Sequence, residues 1–463
     1  MAKKAVEGKR AKNAVAGRKA KPIAAKKTKP VFTPKVFFLT YGCTFNAADT
    51  DAMVKAVKSA KKKIGIAKSE DGADAVVMNT CSVKDSTQEK ILFKAKKLDD
   101  QGKKLVITGC LAQVSPELVE KAAPGASIVG VWPNARIVEA IESSLAGKRM
   151  VSTKKTTDLP LNVTVDGVFA RVQISRGCLG RCTYCSTKLA RGRLQSFQKD
   201  EIVLAVKSAV ARGAREIQLT SQDAACYGFD FEENQDGKKE NLATLVEAVC
   251  AIPGRFRVRI GMGNPEHFEK IKEELARAVC SADKTYRFLH IPVQSGSDSV
   301  LEAMNRRYTA KDYAELVKFF YQKIPDLAVE TDIIAGFPTE TKKDFEATLE
   351  LVERTRPQIT NVSKYSARPK TLAAKMRQVD RKTINARSAK VSALCKKIAL
   401  EENEKMVGRT YDVLVTEKAR GFFSARTPNY KTALVPKATV GAFLKVRITG
   451  AGQSHLKARK VIL

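Results

Sequence analysis

Three cysteines lie within eight residues of one another in the middle of the chain. Cys178, Cys182 and Cys185 have the spacing C-x3-C-x2-C, and they follow an apolar stretch that predicts a β-strand. Three thiolates can hold three irons of a [4Fe–4S] cube, which leaves the fourth iron free to bind a substrate or cofactor. A structural zinc site needs four nitrogen or sulfur ligands, and no fourth cysteine or histidine lies near this loop. The spacing therefore favours an iron–sulfur cluster, with zinc as the alternative.

A second set of three cysteines is dispersed along the N-terminal part of the chain. Cys43, Cys81 and Cys110 each come just after a short apolar run. The carboxyl ends of parallel strands share one edge of a sheet, and neighbouring strands lie about 4.8 Å apart. The three thiols are therefore predicted to converge on a second three-thiolate site. The alternative is three unrelated buried cysteines, since free cysteine is common in protein cores.

The elements that must position both sets alternate between apolar runs and helical patterns, which is typical of α/β folds. Residues 35–147 are predicted to form an open parallel sheet, with strands at 36–39, 75–78 and 105–107 and helices at 47–60, 86–98, 115–123 and 134–146. Residues 147–165 are expected to be a linker. Residues 166–402 are predicted to form a partial (βα)6 barrel, with strands at 168–175, 216–220, 256–261, 286–293, 329–335 and 359–365 and a final helix at 381–406.

The last part of the chain, residues 404–463, changes to short strands separated by turns. The strands are expected at 411–415, 422–425, 433–435, 443–446 and 460–463. This pattern predicts a small β-barrel, and its excess of lysine and arginine is common in nucleic-acid-binding modules.

The charge of the whole chain indicates a polyanionic partner. It has 83 Lys and Arg against 49 Asp and Glu, a formal net charge of +34. Nucleic acid is the first candidate, and an acidic membrane surface or acidic protein is the second. Residues 1–34 are predicted to be a disordered basic tail. No run of about 20 apolar residues and no secretory signal is found, so a cytoplasmic protein without membrane attachment is expected.

The cysteine loop resembles that of the radical S-adenosylmethionine (SAM) superfamily, whose hallmark is this spacing. Two three-cysteine sites, one on an open sheet and one on a partial barrel, followed by a basic β-barrel, resemble the radical-SAM methylthiotransferase family, in which the last domain is called TRAM and binds tRNA. Within it the chain is most similar to the archaeal and eukaryotic branch that adds a methylthio group to C2 of N6-threonylcarbamoyladenosine (t6A) at position 37 of tRNA. The stretches that carry the resemblance are 41–53, 131–135, 182–192, 261–265, 289–301 and 331–338.

The resemblance implies two [4Fe–4S] clusters and SAM as cofactors, with all six cysteines as metal ligands and catalytic residues. The cluster on Cys43, Cys81 and Cys110 would hold an extra sulfur atom that one SAM methylates. The other cluster would cleave a second SAM to a radical that abstracts hydrogen from adenine C2. The implied partners are the anticodon stem–loop of tRNA, a low-potential electron donor and a sulfur donor.

Other residues are assigned by their positions. Candidates for SAM contacts are polar residues near strand ends or in the cysteine loop: Tyr184, Gln222, Arg259, Gln294, Ser295 and Asp332. Candidates for RNA contacts are cations beside the cysteine loop or in the last domain: Arg191, Arg193, Arg426, Lys431 and Lys437. The remaining cysteines and histidines are expected to be structural (Cys226, Cys250, Cys280, Cys395), at the surface (His267, His455) or packed on a strand (His290).

The chain departs from the pattern of the t6A branch at four positions. Ser186 and Leu189 stand where that branch usually has Lys and His, and Gly263 and Thr339 where it usually has Thr and Gly. Leu189 and Gly263 are expected to alter substrate contacts. Three alternatives stay open: another tRNA adenosine as substrate, a ribosomal protein side chain as substrate, and a non-enzymatic zinc-containing RNA-binding protein.

Overall fold

The computed structural model describes residues 33–83, 85–131, 136–154, 161, 163–233, 239–419 and 421–461. Residues 1–32 of the predicted tail lie outside these ranges. So do residues 132–135 of the stretch 131–135, which carries part of the family resemblance. Within them, every helix is too short or too polar to serve as a transmembrane span.

The N-terminal part is a six-stranded parallel sheet with helices packed around it. Its strands are β1 (Lys35–Thr40), β2 (Gly65–Ile66), β3 (Ala75–Thr80), β4 (Lys104–Gly109), β5 (Ser127–Val129) and β6 (Val151–Ser152), in the spatial order β2-β1-β3-β4-β5-β6. Its helices are α1 (Thr44–Lys58), α2 (Asp85–Asp100), α3 (Cys110–Val114), α4 (Pro116–Ala122) and α5 (Ile137–Leu145). Every residue of β3 is buried, as a continuous apolar run in a parallel sheet should be.

This sheet is wider than the sequence analysis predicted. The strands β2, β5 and β6 were missed because two or three residues are too few to show a pattern. Strand β6 lies in the segment expected to be a linker. The helix expected over 115–123 is confirmed as α4, which begins at Pro116, and the short helix α3 before it was not predicted.

The middle of the chain forms the predicted partial barrel. Its strands are β7 (Val165–Asp166), β8 (Phe169–Gln173), β9 (Ser175–Arg176), β10 (Gln195–Ser196), β11 (Glu216–Thr220), β12 (Arg257–Ile260), β13 (Phe288–His290), β14 (Ala328–Ala335) and β15 (Ile359–Lys364). Strands β8, β11 and β12 pair in parallel, as do β13, β14 and β15, and a parallel bridge between Val258 and Thr285 joins the two groups. These six strands confirm the predicted six-unit arrangement.

Most helices of this part cover the outside of the partial barrel, and the first of them packs against α3 of the N-terminal part instead. The helices are α6 (Ser186–Arg191), α7 (Lys199–Ala211), α8 (Leu242–Cys250), α9 (Pro265–Ser281), α10 (Asp298–Ala303), α11 (Ala310–Lys323), α12 (Lys342–Thr355) and α13 (Arg381–Glu404). Alternate strand residues such as Ile217, Leu219 and Val258 pack against helix residues such as Leu245 and Phe268 in one apolar core. Burying each such side chain contributes about 1.5–3 kcal/mol, so this core holds the strand ends in place.

The C-terminal part is a closed five-stranded β-barrel, as predicted. Its strands are β16 (Thr410–Ala419), β17 (Phe422–Arg426), β18 (Thr432–Val435), β19 (Phe443–Ala451) and β20 (Leu456–Lys460), in the order β16-β17-β18-β20-β19, with β19 pairing back to β16. The last strand was predicted four residues too late. Buried Leu456 and Ala458 alternate with exposed Lys457 and Arg459, which gives this strand its inward face.

Tyr430, in the loop between β17 and β18, joins the small barrel to the partial barrel. Its ring centroid lies 4.8 Å from those of Tyr286 and Phe288. Its hydroxyl lies 3.2 Å from Oε1 of Glu216, whose Oε2 accepts a hydrogen bond from the Tyr286 hydroxyl at 2.9 Å. Because Glu216 is fully buried, its carboxylate needs partners from the protein, and the two phenols supply them together with Nε2 of Gln218, which donates to Oε1 at 2.8 Å.

We expect Tyr430→Ala to lower the midpoint of thermal unfolding by several degrees. The change removes a packed aromatic ring, which costs about 3–5 kcal/mol at buried positions, and one partner of Glu216. Circular dichroism during heating measures the effect. Phe422→Ala is the matched control, because Phe422 is 45% exposed. Equal midpoints for the two variants would contradict this account of the junction.

Candidate functional site

The structure brings Cys43, Cys81 and Cys110 together at one edge of the N-terminal sheet. Strand β3 lies between β1 and β4 and pairs in parallel with both. Cys81 and Cys110 directly follow residues that are paired across β3 and β4, and Cys43 precedes α1 as its N-cap. All three line the same cavity.

Two glycines let the chain pass this close to Cys81. Gly42 has φ +110°, and a Cβ at this position would lie 2.9 Å from the Cβ of Cys81. Gly109 has φ +95°, and a Cβ there would lie 2.4 Å from the carbonyl oxygen of Thr80. A side chain at Gly42 would collide with Cys81, and one at Gly109 would collide with the backbone of Thr80, the residue before Cys81, so glycine is required at both positions.

Cys178, Cys182 and Cys185 lie in the loop between β9 and α6. The backbone N–H groups of Gly180 and Lys188 point at the sulfur atoms of Cys178 and Cys185, at 3.2 and 3.4 Å. Such N–H donors stabilise thiolates and the clusters that they hold.

This loop is tied to the barrel at its first residue, Gly177. The N–H of Gly177 donates to Oε1 of Gln222, just past the end of β11, at 2.7 Å. The loop is therefore held over the carboxyl ends of the strands, where parallel α/β folds place their chemistry.

All six of these cysteines line one cavity of about 540 Å³. A neighbouring cavity of about 710 Å³ shares part of its wall, including Cys185 and His290. The carboxyl ends of the sheet and of the partial barrel therefore face a common space, which is large enough for a small molecule or a nucleobase.

Burial raises the pKa of several of these thiols. The pKa of Cys110 is raised to about 11 by burial, against the opposing effect of the Arg191 guanidinium. The pKa of Cys178 is raised to about 12 by burial, with a further contribution from the carboxylate of Asp223. Metal binding needs thiolates, so loading a metal here releases protons. The metal then supplies positive charge that compensates the negative thiolates, which burial otherwise disfavours.

The spacing of the sulfur atoms bears on which metal group fits. The three sulfurs of neither set all lie within 4.8 Å of one another, and all six cysteines belong to the described ranges. Sulfurs that share one zinc ion at about 2.3 Å each are at most about 4.6 Å apart. In this structure each triad is therefore spaced more widely than the ligands of one zinc ion.

The candidates for SAM contacts lie in different places. Gln222 and Arg259 line the six-cysteine cavity, whereas Tyr184, Gln294 and Asp332 line the larger cavity. Ser295 lines neither one. It is 1% exposed, and its hydroxyl lies 3.3 Å from that of Thr348 on α12. This corrects the expectation for Ser295, because its hydroxyl faces a helix behind the strand ends.

The candidates for RNA contacts separate by burial. Arg193 and Lys437 are exposed, and Arg426 is partly buried, with Nη1 donating to Thr432 at 2.6 Å. Two assignments are corrected because the side chains are buried, Arg191 at 2% exposed and Lys431 at 6%. Burial lowers the pKa of Lys431 to about 8, and its Nζ reaches a backbone carbonyl of the partial barrel.

His267 is not at the surface, as had been expected. It is 4% exposed, and its Nδ1 lies 2.6 Å from Oδ2 of Asp223, while Oδ1 of Asp223 accepts the backbone N–H of Asn264 at 3.0 Å. The pair links α9 to the loop after β11. Cys280, expected to be structural, is exposed. The sequence carried no signal for either residue. The exposure of a single side chain leaves no local pattern, and the partner of His267 lies 44 residues away in the chain.

His290 was expected only to pack on a strand, and Glu330 was not assigned, but both are cavity residues. Both line the six-cysteine cavity, and Nε2 of His290 lies 3.1 Å from Oδ1 of Asp332. Burial lowers the pKa of His290, but the neighbouring carboxylates of Asp332 and Glu330 outweigh it and raise the pKa overall. A signal in the sequence could have identified Glu330. Polar residues alternate along β14 at positions 330 and 332, and alternate residues of a strand face the same side, here the barrel interior.

Two departures from the branch pattern lie in different surroundings. Leu189 is partly exposed on α6. Gly263 is buried, and a Cβ there would lie 2.6 Å from both Ala225 and Phe268. The expectation that Gly263 alters substrate contacts is therefore wrong, because that position packs into the core.

Three family models match the chain in succession. The uncharacterized protein family UPF0004 matches residues 35–130, the radical SAM superfamily matches 172–352, and the TRAM domain matches 404–461. Among solved structures, the radical S-adenosylmethionine methyltransferase TsrM from Kitasatospora setae is similar in fold. It is 14% identical, with a TM-score of 0.54, over 85% of this chain and 77% of that one.

Curated relatives cover nearly all of the chain. A probable threonylcarbamoyladenosine tRNA methylthiotransferase from Pyrococcus horikoshii is 38% identical over 91% of this chain and 98% of its own length. One from Archaeoglobus fulgidus is 40% identical over 91% and 97%. The human threonylcarbamoyladenosine tRNA methylthiotransferase is 34% identical over 92% and 74%. The chain therefore belongs to the family of radical-SAM threonylcarbamoyladenosine tRNA methylthiotransferases.

Proposed function

We propose that this protein is the enzyme that adds a methylthio group to C2 of N6-threonylcarbamoyladenosine at position 37 of tRNA. The observation that carries the proposal is one cavity lined by two separate sets of three cysteines. The names of the relatives supply the substrate, and the TRAM domain supplies a module suited to RNA.

The superfamily implies SAM and one [4Fe–4S] cluster, which we assign to Cys178, Cys182 and Cys185. We assign a second [4Fe–4S] cluster to Cys43, Cys81 and Cys110. When bound, these groups supply the one-electron chemistry and the sulfur that an unactivated aromatic C–H requires. The reaction also needs a low-potential electron donor and a sulfur donor from outside the chain.

The residues of this chain position and enclose the reactants. Gln222 holds the cysteine loop through Gly177, and Arg259, His290 and Glu330 complete the cavity wall. The larger cavity, with Tyr184, Gln294 and Asp332, lies beside Cys185 and is our site for SAM. The hydroxyl of Tyr184 accepts from Arg306 at 2.9 Å, which fixes the ring at the cavity wall.

Position 37 of tRNA lies in an unpaired loop, so its base can be turned into the cavity without opening a duplex. Phosphate contacts from exposed cations such as Arg193 and Lys437 would hold the RNA but read little sequence. Selectivity for the modified adenosine is then a property of the cavity. We place the enzyme in the cytoplasm, where its tRNA substrate is found.

Analysis of tRNA nucleosides tests the activity. In a strain that lacks this enzyme, mass spectrometry should find t6A but not its 2-methylthio form. The wild-type chain should restore the modification, and Cys81→Ala should not. Retention of the 2-methylthio form in the deletion strain would disprove the proposed substrate. A methylthio group on a ribosomal protein instead would support the protein-substrate alternative.

The iron content tests the two-cluster assignment. Protein prepared without oxygen should contain about eight irons per chain, because each three-thiolate site holds a four-iron cube. Replacing either set of three cysteines with alanine should leave about four. Cys280→Ala is the matched control, since this exposed cysteine lies outside both sets, and it should keep about eight. A colourless protein that contains zinc would contradict both assignments.

Salt dependence tests the RNA contacts. Lys437→Met should weaken binding of an anticodon stem–loop and reduce the slope of log K against log salt by about 1, because one phosphate contact is lost. Lys431→Met is the matched control, because the buried lysine cannot reach a phosphate and the slope should stay unchanged. Fluorescence anisotropy at several salt concentrations measures both slopes. Equal slopes for Lys437→Met and wild type would remove Lys437 from the RNA interface.

A further inference from the structure

Arg191 joins the two cysteine sites through a single buried side chain. It is the last residue of α6, the helix that begins directly after Cys185. Its Nη2 lies 2.6 Å from Oδ2 of Asp49 and 3.0 Å from Oδ1 of Asn46, both on α1, the helix that begins directly after Cys43. The ring of Phe45 lies under the guanidinium, 4.7 Å from its carbon. The side chain thus spans from one cysteine loop to the other.

The guanidinium also lies beside Cys110. Oδ1 of Asn46, which accepts from Arg191, is 3.9 Å from the sulfur of Cys110. Ala190, the residue before Arg191, packs against Cys110 in a small apolar cluster. Arg191 and Cys110 both line the six-cysteine cavity. The Arg191 Nε has no hydrogen-bond partner among the described residues, so the guanidinium keeps donor capacity at this edge of the cavity.

The surroundings of Arg191 fix its orientation. Asp49 is held from the barrel side as well, because Nε2 of Gln173 on β8 donates to its Oδ1 at 2.8 Å. The amide of Asn46 donates to the carbonyl oxygens of Tyr41 and Thr80, at 2.9 and 3.0 Å. Both partners of Arg191 are therefore locked themselves. A planar guanidinium held in this way presents its positive charge in one direction, which a flexible lysine would not do.

We propose that Arg191 is a positioning residue for the cluster on Cys43, Cys81 and Cys110, and that its charge makes this cluster easier to reduce. This inference rests on the proposed function, in its assignment of a second cluster. Hydrogen bonds and charges near cluster sulfurs set reduction potentials, and a cation in a water-excluded site stabilises the more negative, reduced state. The same side chain keeps the N-terminal site in register with the radical-SAM loop.

The test uses the full chain with Cys178, Cys182 and Cys185 replaced by alanine, so that only the N-terminal cluster is present. The iron content is measured first, and the midpoint potential is then measured by a redox titration followed by electron paramagnetic resonance. Arg191→Met should lower the midpoint potential by about 59 mV or more, which is a tenfold change in a one-electron equilibrium. Arg191→Lys should lower it by less, since the charge stays but the planar fork is lost.

Two matched variants test the direction of the shift in midpoint potential. Asp49→Asn removes the carboxylate paired with Arg191, so the potential should rise. Arg193→Met removes an exposed arginine two residues away and should leave the potential unchanged. A side chain that only supports the fold would not shift the potential in opposite directions in the two members of one ion pair.

The outcomes separate this inference from the proposed function. If the three-alanine chain binds no iron, the second cluster and the proposed function fail together. If it binds about four irons, and Arg191→Met keeps them with an unchanged potential, the role of Arg191 is disproved while the proposed function stands. Loss of iron in Arg191→Met together with an unchanged potential in Arg191→Lys would also overturn the inference, because that pattern describes a purely structural ion pair.

Discussion

Two parallel sheets place their carboxyl ends against one cavity, and the rest of the molecule depends on holding that arrangement. Six thiols surround a shared space, and burial raises the pKa of Cys81, Cys110, Cys178 and Cys185. A buried thiol avoids the cost of an isolated charge by staying protonated, whereas a metal cluster supplies compensating charge and lets the thiolate form. The fold is therefore suited to a group that brings positive charge into a poorly solvated cavity.

Polar contacts decide how the N-terminal sheet meets the partial barrel. The Arg191–Asp49 ion pair is one of them, and the hydroxyls of Ser82 and Ser186, 3.0 Å apart, are another. Apolar packing would allow the two parts to slide, because it has no preferred direction, whereas buried ion pairs and hydrogen bonds are lost when their geometry changes. The proposed function brings groups from both cysteine sites to one adenine and needs such a fixed distance, since small displacements of reacting groups cost large factors in rate.

The C-terminal barrel uses charge in two distinct ways. Lys437 is exposed and free to meet a polyanion, whereas Lys431 and Tyr430 turn inward and join the small barrel to the partial barrel. Exposed cations of the first kind would give any polyanion an affinity that falls with salt, whereas contacts of the second kind fix where the small barrel lies relative to the cavity. A count of basic residues cannot distinguish them.

The sequence by itself determined which cysteines form the two sets and which parts of the fold carry them. The first set is a local motif, C-x3-C-x2-C. The second set could be predicted because parallel strands end at the same edge of a sheet, so Cys43, Cys81 and Cys110 meet once β1, β3 and β4 are neighbours. The six-unit partial barrel and the small β-barrel followed from hydrophobic patterns that extend over several residues. Strands of two or three residues carry no such pattern, and β2, β5 and β6 were missed for that reason.

Only the tertiary structure decided what each polar side chain does. Arg191 and Lys431 look like surface cations in the sequence, and His267 looks like a surface histidine. Their burial depends on partners such as Asp49 and Asp223, which are distant in the chain, and a pair of residues leaves no mark on the residues between them. Periodicity reports which face of an element is buried, but the partner of a buried charge is set by how separate elements pack, and that information exists only in the folded molecule.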